Sequence, residues 1–213
     1  MQIAFLFFDG MTALDAIGPY EVLGRLPGAE VRFVAAEPGE KRTDQNLGII
    51  ADHATGDVPA PDVLVVPGGN VTQPLNDPRV IDWVASVHQT STWTTSVCTG
   101  AFVLGAAGVL RGLKATTHWS TLDELARYGA EPTSERVVEQ SKVVTAAGVS
   151  SGIDMALRLV ARIAGDDLAQ AIQLGIEYDP QPPFEGSPSK APAHVVEMLR
   201  GFYENAARDY IGT

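Results

Sequence analysis

The chain has 213 residues, 45% hydrophobic and 19% charged, enough apolar material to bury one full core. Against 15 Lys and Arg stand 26 Asp and Glu, and the formal net charge of −11 sets up a field that repels nucleic acid and anionic membranes. The single cysteine excludes an internal disulfide, and the opening MQIAFLFFDG is too short to span a bilayer and lacks a signal's basic flank, so a soluble cytoplasmic protein is expected.

QIAFLFF is a near-continuous apolar run ending at Asp9-Gly10, the pattern of a strand buried on both faces. GPYEVLGRLPGAE predicts a helix with Pro19 near its start and Gly28 past its end. VRFVAAE predicts the next strand, PGEKRTDQNLG a turn region, and IIADH a short edge strand that leaves Asp52 and His53 solvated. DVLVVPGG is a third strong strand, closed by Pro67-Gly68-Gly69. A helix follows from about Pro78 to His88, and then the strand TTSVC. GAFVLGAAGVL reads as a small-residue helix suited to lying close against a sheet. ATTH comes next, then an amphipathic STLDELARYG and a hairpin, RVVEQSKVVTAAG. Two helices run across GIDMALRLVARIAGDDLAQAIQLGIEY. A Pro-rich segment at about 179–192 precedes a last helix reaching about Arg208. No repeat and no dividing linker is visible, so residues 1–213 read as one α/β domain, a mostly parallel sheet with helices on both faces.

Open sheets of this kind bind ligands at the carboxyl ends of their strands. That rule gathers Asp15, Gly68-Gly69, Cys98, His118 and the segment from Gly148 to Ser151 on one rim. Cys98 stands where a strand turns into a helix. There a nucleophile is held clear of the backbone, and helix-start N–H groups are expected to lower the thiol pKa below about 8.5. From position alone, a buried structural cysteine is the competing reading. Asp15 is either a helix N-cap or a carboxyl in a semi-apolar pocket, raised in pKa and able to pass a proton. Gly68 and Gly69 offer backbone donors to a developing negative charge. His118 is either a base for Cys98 or a polar group packed in a pocket wall. Trp119 and Phe184 read as aromatics that line or cover an apolar pocket. No His, Cys, Asp or Glu grouping has metal-ligand spacing, and P-loop, dinucleotide and G-x-S-x-G motifs are absent, so neither metal nor cofactor is expected.

FFDGMTALDAIGPYEVL, DVLVVPGG, SVCTGAFVLGAAGVLRGLKATTHW and AQAIQLGIEYDPQPPFEGSP together resemble the DJ-1/PfpI superfamily over nearly the whole chain. Within it the chain is most similar to the branch that hydrates isonitriles. SVCTG with TTHW also resembles the N-terminal domains of AraC-like regulators, whose helix-turn-helix module is not expected in a chain of this length. The resemblance implies a flavodoxin-like sandwich, a homodimer, and cofactor-free conversion of an isonitrile and water to an N-substituted formamide through a cysteine thioimidate. Carried over by motif, Cys98 matches the nucleophile, Asp15 the essential acid, and Thr99 the implicated residue after the nucleophile. Gly68, Gly69, His118, Trp119 and Gly148 fall where substrate or an oxyanion would be held. Peptidase-like members place a histidine directly after the cysteine, and Thr99 stands there instead, which counts against a peptidase. Many members use glutamate where Asp15 stands. Two rivals share the same activated thiol: a glyoxalase- or deglycase-like enzyme acting on an aldehyde, and a non-catalytic thiol sensor or small-molecule-binding domain.

Overall fold

The computed structural model describes residues 1–210. Strand β1 (Gln2–Leu6) leads into helix α1 (Ala13–Leu23) and returns as β2 (Glu30–Ala35). A hairpin of β3 (Gly39–Arg42) and β4 (Gly48–Ala51) precedes the two-residue β5 (His53–Ala54). After β6 (Val63–Val66) come the one-turn α2 (Thr72–Leu75), α3 (Pro78–Thr90), β7 (Trp93–Val97) and α4 (Gly100–Ala106). The short β8 (Lys114–Ala115), a 3-10 segment (Trp119–Tyr128) and β9 (Glu131–Pro132) follow. The hairpin of β10 (Val137–Gln140) and β11 (Val143–Ala146) then leads to α5 (Ser151–Ala164), α6 (Asp166–Gly175) and α7 (Ala193–Tyr210).

Seven strands form one sheet in the order β10-β11-β7-β6-β1-β2-β5, parallel throughout except where β10 pairs with β11. The unbroken apolar runs account for its centre: every residue of β6 is buried, as is β1 beyond Gln2. Helices flank the sheet, with α1 against α5 and α3 against α4. Phe5, Leu6, Leu64, Phe102 and Leu104 are fully buried among them, each contributing about 1.5–3 kcal/mol of transfer free energy.

Four readings of local sequence are corrected by the fold. Helix α1 begins at Ala13, and Pro19 lies inside it rather than near its start. Burial of Asp15, Ala16, Gly18, Pro19, Val22 and Leu23 drives this helix and offsets the missing N–H bond and ring crowding of an interior proline. PGEKRTDQNLG is not a plain turn: Gly39 to Arg42 pair in register with Gly48 to Ala51. In ATTH only Ala115 is a strand residue, and it pairs with β9 outside the main sheet. GAFVLGAAGVL is helical only to Ala106, because Gly108, at φ +77°, turns the chain away.

Candidate active site

The site is built around a strained corner. Cys98 follows β7 and precedes α4 with φ +55°, a left-handed conformation that costs a non-glycine residue roughly 1–2 kcal/mol. Its neighbours hold it there. Its N–H donates to Ala146 O at 3.0 Å, and Thr117 Oγ1 donates to its carbonyl at 2.7 Å. A Cβ on Gly148 would lie 2.7 Å from Cys98 Cβ, so only glycine fits beneath the corner, where φ is also +107°. Cys98 packs in a small apolar cluster with Val97, Val144, Ala146 and Met155, and it also lines a cavity. Cys98 is thus buried, as the structural reading expects, and still open to a cavity, as a nucleophile requires.

Asp15 is fully buried and sits in the first turn of α1, inside the helix rather than at its N-cap, which is Thr12. Its Oδ2 accepts from Gly68 N–H at 2.9 Å. Cys98, 83 residues away in sequence, is close enough to influence the carboxyl, but Oδ1 has no hydrogen-bond partner. Burial pushes the Asp15 pKa up to about 8; the Gly68 N–H pulls it down and the Asp44 charge adds to the rise.

Burial also pushes the Cys98 thiol up, the adjoining Asp15 carboxyl adds to this, and the Thr99 N–H and hydroxyl offset only part of it. The expectation of a depressed thiol pKa is thus overturned. Helix α4 has only seven residues, and its start does not outweigh the loss of water around the sulfur. A carboxylate at Asp15 thus opposes a second negative charge on the sulfur.

Thr99 Oγ1 donates to Gly69 O at 2.8 Å and accepts from Gly69 N–H at 2.8 Å. Both N–H groups expected to meet a developing anion are therefore already engaged. Gly68 holds the carboxyl of Asp15, and Gly69 holds the hydroxyl of Thr99.

The cavity has a volume of about 150 Å³, small beside the roughly 300–1,000 Å³ of most ligand pockets and suited to a compact ligand. Thr12, Asp44, Gly69, Cys98, Thr99, His118, Ser120, Thr121, Val149 and Tyr203 line it. The Nδ1 of His118 lies 2.7 Å from Ser120 Oγ and also accepts from Ser120 N–H, so its partner is Ser120 rather than Cys98. Burial pushes its pKa down. Its ring meets that of Tyr203 edge-on at 4.9 Å. Trp119 is not among the lining residues; it stands edge-on to Tyr203, with the Arg200 guanidinium 6.0 Å from its ring. Phe184 is 83% exposed and does not line or cover the cavity. Among the described residues, no three His, Cys, Asp or Glu side chains are grouped to hold a metal ion.

Sequence reasoning missed Thr12, Asp44, Thr117 and Tyr203. Asp44 sits in the loop between β3 and β4, where its N–H donates to Met11 O at 3.0 Å and its Oδ2 accepts from Thr12 Oγ1 at 2.6 Å. Nothing local distinguishes it from other loop aspartates. Thr117 lies within the quoted TTHW, but its bond to the Cys98 carbonyl exists only in the folded chain.

Comparison with known proteins adds to this geometry. The sequence profile of the DJ-1/PfpI family matches residues 1–162. Isonitrile hydratase of Pseudomonas putida is 42% identical over 202 residues, 94% of this chain and 89% of that protein. The crystal structure of a THiJ/PfpI family protein from Pseudomonas syringae matches with a TM-score of 0.93 and 39% identity, covering 98% of this chain and 87% of that one. The HTH-type transcriptional regulator CdhR of Pseudomonas aeruginosa is 26% identical over 166 residues, 76% of this chain but 49% of the regulator.

Proposed function

The chain belongs to the DJ-1/PfpI family, and we propose that it hydrates isonitriles to N-substituted formamides, with Cys98 as nucleophile and Asp15 as proton carrier. The observation that carries this reading is a proton-holding carboxyl buried against an elbow thiol, in a chain 42% identical to isonitrile hydratase along 94% of its length.

The chemistry needs one proton shared by the pair. In that one-proton state the Asp15 carboxylate takes the thiol's proton as the sulfur adds to the terminal carbon of R–N≡C and gives it to that carbon, forming the thioimidate R–N=CH–S–Cys98. Asp15, again a carboxylate, takes a proton from water as the hydroxide adds to the thioimidate carbon, then passes that proton to nitrogen. Collapse of the adduct returns the hydroxyl proton through Asp15 to the departing Cys98 sulfur and releases R–NH–CHO. Atoms and charge balance, and the pair ends as it began. A carboxyl near pKa 8 suits both directions of transfer at neutral pH. Gly68 fixes the acid, and Thr99, fixed by Gly69, supports the sulfur through its N–H. His118 and Tyr203 form part of the substrate's surroundings, and Gly148 leaves room for the corner.

The same reading makes residues 1–213 one domain that acts as a homodimer. Leu14, Ile17 and Tyr20 on α1 and Ile50 on β4 leave an exposed apolar patch that supports such pairing. It also puts the enzyme in the cytoplasm, where a lone nucleophilic thiol stays reduced. Purified protein should convert cyclohexyl isonitrile to its formamide without added metal or nucleotide, and Cys98→Ala should abolish this. Protein that ignores isonitriles but consumes methylglyoxal would replace this reading with the glyoxalase-like one.

A further inference from the structure

Among the described residues, the cavity is lined by a single acidic side chain, Asp44, and by no lysine or arginine. Asp44 is exposed, and its hydrogen bond from Thr12 Oγ1 brings no counter-charge. Among the described residues, no ion pair includes it. Of the nearby cations, Arg42 reaches Asn46 O of the same loop but is paired with Glu40, and Arg200 stands over Trp119, in a chain that carries −11 as a whole. The remaining walls are uncharged, with Val149 and the ring of Tyr203 beside the neutral His118. Such a cavity accepts an apolar substituent and sets a negative charge against any second one.

We propose that Asp44 is a specificity-determining residue that turns anionic isonitriles away, leaving neutral and cationic isonitriles as the substrate class. This rests on the hydratase reading and names what that site admits. Two like charges within one small cavity, at a partly solvated rim, repel enough to cost about tenfold in kcat/KM. Because Asp44 is exposed, salt should erode that factor.

The test compares isocyanoacetate with its methyl ester, which carry the same reacting group and differ in charge. Wild-type protein at low ionic strength should favour the ester by about tenfold, and the gap should shrink at 0.5 M salt to about threefold. Asp44→Asn should close most of the gap, Asp44→Glu should keep it, and Asp44→Lys should favour the acid. Both probes draw their proton from Asp15, so any effect of these variants on that group cancels in the ratio. A merely structural role for Asp44 would lower both rates and leave the ratio alone. Equal turnover of acid and ester by wild-type protein, or a gap unchanged in Asp44→Asn, overturns this inference while the hydratase reading stands. Failure to turn over either probe, or cyclohexyl isonitrile, overturns both.

Discussion

A carboxyl buried as completely as Asp15 carries a pH-dependent cost that its amide would not. Its pKa is about 8 in the fold against 3.8 in an unfolded chain, so the stabilisation it gives is complete below pH 3.8 and is lost as pH rises through 8. Asp15→Asn should therefore melt higher than wild type at pH 9, by ~1–3 kcal/mol or about 2–10 °C, with the difference narrowing toward pH 4. The same variant should lose about 10²–10⁴-fold in turnover, since an amide moves no proton. Identical melting differences at pH 4 and pH 9 would contradict a raised pKa. The thiol supplies a second check. Iodoacetamide labelling of Cys98, read by intact mass, should stay slow at neutral pH and accelerate only well into the alkaline range, because burial and the adjoining Asp15 carboxyl hold the thiol above its ordinary value. A rate already maximal at pH 6 would restore the depressed thiol read from the strand-to-helix turn. Gly148→Ala brings its new methyl 2.7 Å from Cys98 Cβ at a φ of +107°. It should cost ~1–3 kcal/mol of stability and at least about tenfold in kcat/KM through displacement of the corner.

Elements place these residues, and some of them come from far along the chain. Helix α1 delivers Asp15 because its buried side packs toward α5, so close that a Cβ on Gly152 would touch the ring of Pro19 at 3.1 Å. The β3–β4 hairpin brings Asp44 to the start of α1. Helix α7 begins 31 residues beyond the last residue matched by the family profile, at Ala193, and supplies Tyr203 to the cavity. Tyr203→Ala should raise KM for cyclohexyl isonitrile about threefold to tenfold through loss of ring contact. Cys98 labelling in that variant should proceed at the wild-type rate. A fall in kcat with KM unchanged would instead assign Tyr203 to the chemical step.

At the scale of the molecule, the exposed apolar residues of α1 and β4, with Ile50 at 62% exposure, favour association. Sedimentation should give about twice 22.6 kDa at micromolar concentration, and Ile17→Asp should shift the mass toward the monomer. A monomer across that range would remove the homodimer from the reading. The sequence by itself determined the parallel α/β architecture, because unbroken runs such as DVLVV fit only strands buried on both faces. It also marked Cys98, Asp15 and Thr99 as partners, through a strand-to-helix corner and a familiar set of motifs. Three things only the tertiary structure decided. Helix α1 starts at Ala13 because the packing of its buried side, not the proline rule, sets its limits. The N–H groups of Gly68 and Gly69 serve Asp15 and Thr99 because those side chains arrive from other elements. The thiol pKa rises because burial removes water from the sulfur, and burial is a property of the whole fold that the short SVCTG motif does not carry.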